Sequence, residues 1–168
     1  MKNFLKVSCI VSGVILCLFI ILYIIGGIIV KKPLISEKEI ILDYNVKNIW
    51  EIVVNNSDYQ WRTGIHKIEL LENGNWIEYY DEKGKNFTKF TLKDKEENTF
   101  YSFEMENKNF YGNWTGKFIE IDVNKTKCIF TETIYIKNNL MGILAKMFWN
   151  LEKLQEQYFN DLKKRLEN

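Results

Sequence analysis

The longest uncharged run in the chain is the feature that most limits how it can fold. Residues 7–30, "VSCIVSGVILCLFIILYIIGGIIV", contain no charged residue. As a helix rising about 1.5 Å per residue, the run would span the roughly 30 Å hydrocarbon core of a bilayer. It is too long for the apolar region of a cleaved signal peptide, and no A-x-A cleavage site follows it. The run therefore predicts a retained transmembrane helix within an N-terminal anchor region, residues 1–34.

The anchor predicts a single-pass protein of the cell membrane. Lysines flank the run on both sides, at Lys2, Lys6, Lys31 and Lys32. Counting positive charges near the two ends therefore gives almost equal numbers and does not decide the orientation. Because an uncleaved N-terminal anchor more often leaves its downstream domain outside the cytoplasm, we expect an extracytoplasmic domain.

Residues 35–168 form the predicted folded domain, and their composition excludes several functions. Of the 23 basic residues in the chain, four flank the anchor, whereas all 22 acidic residues lie at or after Glu37. The domain therefore has a net charge of about −3, which gives no electrostatic footprint for nucleic acid. One histidine and one cysteine, His66 and Cys128, offer no metal-ligand cluster. No glycine-rich phosphate loop is present, and no residue pattern points to a cofactor.

Short alternating segments predict a mainly antiparallel β domain. A strand is expected over 37–45, a hairpin over 65–80 turning at Asn73-Gly74, and four further strands. Those four strands are predicted over residues 86–94, 98–107, 109–122 and 126–137. Because the connections are short, the later strands should pair with their sequence neighbours. The fold class is α+β, with a curved antiparallel sheet of about seven strands.

Three helices are predicted in the domain. The first covers 46–56, with Val46, Ile49, Trp50 and Val53 on one face and Asn45 as its N-cap. A second, short helix is expected over "SDYQWRTG", residues 57–64, closed by its glycine. The third begins at Asn138 or Asn139 and runs for roughly 28 residues. Its apolar stripe is long enough to lie across the concave face of the sheet.

Five aromatic, glycine and charged motifs follow one another along the domain: Ile49-Trp50, Tyr59 with Trp61, Gly74 with Trp76, Gly112 with Trp114, and "DLKKRLE" over Asp161 to Glu167. Their order resembles the START-like superfamily, also called SRPBCC or Bet v 1-like, and within it the polyketide cyclase/dehydrase and lipid-transport branch. The family often has proline after the first strand, where this chain has Asn45. The resemblance covers about residues 36–167 and implies a helix-grip fold with a cavity between the sheet and the C-terminal helix.

The resemblance also implies a hydrophobic ligand, such as a lipid. Aromatic and aliphatic residues predicted to face the cavity are candidates to contact it, with core packing, the more common role of such residues, as the alternative for each. The candidates are Tyr59, Trp61, Trp76, Tyr80, Phe90, Phe103, Trp114, Phe130 and Ile134 before the last helix, and Met147, Leu151 and Leu154 on it. Family members include both binding proteins and enzymes, so the resemblance leaves catalysis open.

Three polar residues bear on that choice. Glu132 alternates with Phe130 and Ile134, so it either faces inward as a proton donor with a raised pKa or is turned to water by a bulge or edge. We expect Arg62 to be a surface residue, with an anchor for an acidic head group as the alternative. His66 is expected at the surface or a strand edge, since no nucleophile motif accompanies it.

Three functions remain open from the sequence. The first is a membrane-tethered domain that binds a hydrophobic ligand, and the second is an enzyme of the cyclase, dehydratase or isomerase type. The third is a protein-interaction module whose cavity is filled by its own side chains. The volume of the cavity separates the third from the other two, and polar groups converging inside it would favour the enzyme.

Overall fold

The computed structural model describes residues 11–21, 23, 24, 27, 32–138, 142, 144, 145 and 149–168. The predicted anchor, residues 7–30, lies only partly within them. Its described stretch 11–21 is helical, with exposed apolar side chains. No helix within the described ranges is both long and apolar enough to cross a membrane.

Seven antiparallel strands form one sheet, as the alternation predicted. In chain order the strands and helices are β1 (Leu34–Leu42), α1 (Val46–Val54), β2 (Lys67–Leu70), β3 (Trp76–Tyr79), β4 (Phe87–Glu96), β5 (Phe100–Glu106), β6 (Phe110–Asp122), β7 (Lys125–Ile136) and α2 (Leu151–Glu167). Their order across the sheet is β1-β7-β6-β5-β4-β3-β2. Strands β2 to β7 therefore pair with their sequence neighbours, and β1 returns to pair with β7.

The hairpin turn between β2 and β3 forms where the sequence predicted it. Asn73 and Gly74 both have positive φ, 58° and 75°. Asparagine tolerates this conformation and glycine adopts it without steric cost, so the pair reverses the chain tightly. The Leu71 amide then donates to the carbonyl of Asn75 at 2.8 Å, which closes the turn.

Helix α1 closes one end of the sheet. Asn45 is its N-cap, accepting a hydrogen bond from the Lys47 amide at 2.9 Å. The predicted face is buried, and the ring of Trp50 meets those of Phe118 and Tyr101 edge-on at 5.3 and 6.2 Å. Three aromatic rings from one helix and two strands therefore plug this end of the fold.

The second predicted helix, over 57–64, is wrong, because the segment is a series of turns. The Asn55 side chain accepts from the Ser57 amide, and Gly64 has a φ of 86°. The Thr63 amide donates to the carboxylate of Asp161 at 2.8 Å. A helix would need that amide for its own ladder, so the contact with α2 replaces it.

The C-terminal helix is shorter than predicted. Residues 142, 144 and 145 are helical, but Trp149 and Asn150 are not, and α2 has 17 residues from Leu151 onward. Its N-cap is Asn150, which accepts from the Lys153 amide at 3.0 Å, rather than Asn138 or Asn139. The cap starts a new helix where the apolar stripe suggested a continuous one.

Helix α2 packs on the sheet at β1 and β7. Its buried Gln155 accepts from the Ser36 hydroxyl at 2.9 Å and donates to the Ser36 carbonyl at 3.2 Å. One turn further on, the ring of Phe159 stacks on Phe130 of β7 with centroids 4.9 Å apart. These contacts hold α2 over one half of the concave face and leave space above the other half.

Candidate functional site

That space is a cavity of about 390 Å³ between the sheet and α2. Alternate, inward-facing residues of β3 to β7 form about half of its wall, and the end of α1, the loop before β2 and helix α2 provide much of the rest. The lining residues are Val53, Asn56, Arg62, Thr63, Ile65, Trp76, Glu78, Tyr80, Thr88, Phe90, Tyr101, Phe103, Met105, Phe110, Trp114, Phe130, Glu132, Trp149, Leu154, Gln155, Gln157, Tyr158 and Asp161. The wall is mostly apolar and aromatic, with a few polar groups, as in small-molecule sites.

Four aromatic rings form a continuous strip across the sheet. Trp76 stacks on Phe90 at 4.8 Å and meets Phe103 edge-on at 5.0 Å. Phe103 in turn stacks on Trp114, its partner across β5 and β6, at 5.1 Å. Gly116 makes this possible, because a Cβ there would overlap the Trp114 ring. The strip gives the cavity flat walls that would accept a planar or apolar ligand.

An ion pair lies at the polar end of the cavity. The Arg62 Nη1 atom lies 2.6 Å from the Glu78 Oε1 atom. The same carboxylate oxygen accepts from the Trp76 Nε1 atom at 3.1 Å. Burial lowers the pKa of Arg62, but attraction to Glu78 and their hydrogen bond outweigh burial, and its pKa is raised. Arg62 is therefore a partly buried, charged group, and the expected surface position is wrong.

Two tyrosines flank this pair. Burial is the largest cause of a raised pKa at both Tyr80 and Tyr158, so each hydroxyl stays protonated at neutral pH. The Tyr80 hydroxyl lies 3.5 Å from the Glu78 Oε2 atom, and the Arg62 guanidinium lies 5.7 Å from the Tyr158 ring centroid. Both hydroxyls can therefore donate a hydrogen bond at the cavity wall.

Glu132 faces the cavity from β7, opposite Ser36 of β1 and Trp114 of β6. No bulge interrupts the pairing there, so the inward alternative is the observed one. Its carboxyl has no hydrogen-bond or ion-pair partner among the described residues. Burial, and then repulsion from Glu78, raise its pKa to about 7. It can therefore exchange a proton near neutral pH.

The structure places most of the predicted site residues along the cavity. Those that line it are Trp76, Tyr80, Phe90, Phe103, Trp114, Phe130, Glu132 and Leu154. Ile134 and Leu151 belong to the packed core instead. Ile134 fills the space beside Gly112, where a Cβ would lie 3.0 Å from its side chain. Met147 lies outside the described residues.

Tyr59 and Trp61 also lie off the cavity wall. Both are partly buried against the core, and the Trp61 ring meets Tyr158 edge-on at 5.3 Å. Trp61 therefore packs behind a cavity residue instead of lining the cavity itself. His66 is exposed, and its backbone amide donates to the Tyr79 carbonyl at 2.8 Å.

Sequence reasoning missed Glu78, although its signal was present. Trp76 and Tyr80 were both predicted to face inward, and a strand with period two requires Glu78 between them to face the same way. The position of Arg62 had no such signal, because it depends on how the loop before β2 folds over the sheet. Across the part of the chain that is described, no three His, Cys, Asp or Glu residues form a potential metal site.

No family model and no curated protein sequence matches the chain. Solved structures do match it in three dimensions. A START superfamily protein from Mycobacterium smegmatis is 14% identical over 79% of this chain and 97% of its own, with a TM-score of 0.61. The chain has the START-like fold. The helix-grip arrangement expected from the sequence motifs is confirmed.

Two enzymes have the same START-like fold. Zhui aromatase/cyclase from Streptomyces sp. R1128 is 12% identical, over 80% of this chain and 94% of its own, with a TM-score of 0.61. Norcoclaurine synthase from Thalictrum flavum, solved with dopamine and hydroxybenzaldehyde, is 9% identical over 80% and 86%, with a TM-score of 0.61. Identities this low show a shared fold and do not carry over an activity.

Proposed function

We propose that the START-like domain binds a hydrophobic small molecule, such as a lipid, in the cavity between its sheet and α2. The observation that carries this proposal is the space of about 390 Å³ behind an aromatic wall. Ligand sites typically enclose about 300–1,000 Å³ and are mostly apolar. A protein-interaction module with a filled cavity fits this volume poorly. Each CH₂ group that a ligand buries there would contribute about 0.8 kcal/mol.

The proposal can be tested by blocking the cavity. Leu154 lines the cavity yet is 51% exposed, so a larger side chain there can enter the space without disrupting a packed core. Leu154→Trp should reduce ligand binding, whereas Lys163→Trp, on an exposed position of the same helix, should not. Native mass spectrometry of gently purified full-length protein would detect a co-purified ligand in the wild type and in the control.

A thermal unfolding experiment completes the test. Because a ligand that binds only the folded state raises its melting temperature, a lipid extract should stabilise the wild type and the Lys163→Trp variant more than Leu154→Trp. If no ligand co-purifies and all three proteins respond alike to the extract, the cavity is not a ligand site.

We also propose that residues 7–30 anchor the domain in the cell membrane, with the domain outside the cytoplasm. The uncharged run supports this, as do the exposed apolar side chains of the helical stretch 11–21. Only a short link separates the run from β1, so a tethered cavity would remain near lipid. The full-length protein should stay in the membrane pellet after an alkaline carbonate wash, and deletion of residues 1–32 should release it. Protease added to intact cells should digest the domain, and its survival would place the domain inside.

The second candidate function is an enzyme of the cyclase, dehydratase or isomerase type. Glu132 favours it, because an unpartnered carboxyl with a pKa of about 7 can serve as a general acid or base. That two proteins of the same fold are enzymes also supports it. Once a ligand is identified, Glu132→Gln should abolish its conversion while leaving the protein folded. Recovery of the ligand unchanged from wild-type protein would leave binding as the function.

A further inference from the structure

The cavity is acidic inside. Its titratable lining residues in the described part of the chain are Arg62, Glu78, Tyr80, Tyr101, Glu132, Tyr158 and Asp161. Three carboxyl groups therefore face one cation, and the tyrosines remain neutral at physiological pH. A ligand with an anionic end, such as a fatty acid, would add a further negative charge to this set.

Two of the three carboxyl groups already have partners. The Glu78 carboxylate accepts hydrogen bonds from Arg62 and from the Trp76 Nε1 atom. The Asp161 carboxylate accepts from the Thr63 amide at 2.8 Å, from the Thr63 hydroxyl at 3.1 Å and from Gln157 at 2.9 Å. Glu132 alone of the three has no partner within the described residues, although its side chain is partly buried.

A partly buried carboxylate without a partner is unfavourable, and a cationic donor is the group that would best compensate it. Trp114 pairs with Glu132 across β6 and β7 and presents its ring to the same cavity. Aromatic faces attract cations. The Trp114 ring and the Glu132 carboxylate therefore both favour a positively charged group on the ligand.

We propose that the ligand of this cavity is an amphipathic amine, whose protonated nitrogen donates to Glu132 while its apolar body lies along the aromatic strip. This inference rests on the proposed ligand-binding function and specifies the chemical class of the ligand. Glu132 is then the residue that selects an amine over a carboxylic acid or an alcohol with the same apolar body.

Three probes with one apolar body test the proposal: 4-phenylbutylamine, 4-phenylbutan-1-ol and 4-phenylbutanoate. Their dissociation constants are measured by calorimetry on the full-length protein in lipid nanodiscs, with empty nanodiscs subtracted. At pH 8 the amine should bind the wild type at least about tenfold more tightly than the alcohol, a typical difference for a charge-assisted hydrogen bond. The acid should bind most weakly. With Glu132→Gln, the amine and the alcohol should bind alike.

The pH dependence distinguishes this from a protonated Glu132 that donates to a ligand carbonyl. Between pH 6 and 8 the probe amine stays protonated while Glu132 ionises, so amine affinity should rise by about tenfold for a carboxyl pKa near 7. A donor role would instead favour the alcohol and acid probes at pH 6. Glu120→Gln, which neutralises an exposed carboxylate of β6, should follow the wild type throughout.

The outcomes separate this inference from the proposed function. Binding of the alcohol with no preference for the amine would overturn the amine assignment and leave ligand binding intact. An amine preference that survives Glu132→Gln would also overturn it, because the cation would then bind elsewhere. Failure of all three probes to bind would count against both proposals.

Discussion

The Arg62 guanidinium and the Glu78 carboxylate form an ion pair of 2.6 Å on the wall of a mostly aromatic cavity. Only 3% of the Glu78 side chain and 21% of the Arg62 side chain are exposed. Because both charged groups are largely removed from water, each relies on the opposite charge of the other for stabilisation. The pair links the loop before β2 to the inner face of β3.

Breaking this ion pair should destabilise the domain. Arg62→Met leaves a buried carboxylate without its cation, and we expect a loss of about 3–5 kcal/mol in the free energy of unfolding. The double variant Arg62→Met/Glu78→Leu should recover much of that loss. Urea denaturation of the four proteins in the double-mutant cycle measures the coupling.

The exposed pair Lys93–Glu104 provides the control, since about half of each side chain is exposed. Glu104→Gln should change stability by no more than about 1 kcal/mol. If Arg62→Met is as mild as this control, the buried pair contributes nothing beyond a surface ion pair.

The stability of the domain should depend on pH through Glu132. Its pKa is raised from an ordinary value of 4.5 to about 7, so the folded state holds the proton to higher pH than the unfolded state does. The free energy of unfolding should therefore fall as pH rises through that interval, by up to about 3 kcal/mol. Glu132→Gln removes the ionisation and should become the more stable protein above pH 7.

The measurement is denaturant unfolding at several pH values between 4 and 8, expressed as the difference between wild type and Glu132→Gln. Subtraction removes the contribution of groups that titrate in both proteins. The exposed-site variant Glu120→Gln should run parallel to the wild type. A constant difference across the series would mean that Glu132 titrates normally.

Leu151 and Leu154 should respond differently to truncation. Leu151 is 5% exposed in the packed core, whereas Leu154 is half exposed at the cavity. Leu151→Ala should cost about 2–5 kcal/mol, the usual range for a core leucine. Leu154→Ala should cost about 1 kcal/mol or less, because part of its environment is already open. Equal losses in urea denaturation would contradict this placement of the cavity.

Gly112 should not tolerate a side chain. A Cβ at this position would overlap the Thr133 carbonyl oxygen, which belongs to the backbone of β7 and cannot rotate away. We expect Gly112→Ala to cost about 3 kcal/mol, toward the upper end for overpacking. Gly64→Asn is the comparison, since Gly64 lies in open space with a φ that asparagine tolerates. A stability within about 1 kcal/mol of wild type for Gly112→Ala would show that the two strands can separate there.

His66 should be dispensable for stability. Its side chain is exposed, and the backbone amide that bonds to Tyr79 is retained in any substitution except proline. His66→Ala should therefore change the free energy of unfolding by no more than about 0.5 kcal/mol, as at other surface sites. A loss of ligand binding in this variant would show that the ligand site includes His66, contrary to the cavity assigned here.

The sheet was predictable from the sequence because local patterns determine it. Alternating side chains identify each strand, and the short connections, such as the one at Asn73-Gly74, leave sequence neighbours as the natural partners. The two errors in the helices come from contacts that no local pattern contains. Asp161 takes the Thr63 amide from 98 residues away, and Asn150 caps a new helix inside a continuous apolar stripe.

The aromatic side of the cavity was also predictable, since alternation shows which residues share a face. The polar side was harder to predict. Glu78 follows from its position between Trp76 and Tyr80, but pairing it with Arg62 requires the position of a loop in three dimensions. That Glu132 has no partner among the described residues likewise depends on the space above the sheet. The size of this space is set by where α2 packs, which no local sequence pattern predicts.

The pairing of β1 with β7 also determines when each strand can find its partner during synthesis. Strands β2 to β6 can form hairpins as they emerge from the ribosome, but β1 has no neighbour in the sheet until nearly all the strands have been made. During that interval its backbone edge is open to pairing with other chains. Glu37, Lys38 and Glu39 occupy the middle of β1, and charged residues at such positions disfavour edge-to-edge association. We therefore expect the charges in this strand to disfavour association between nascent chains before β1 pairs with β7.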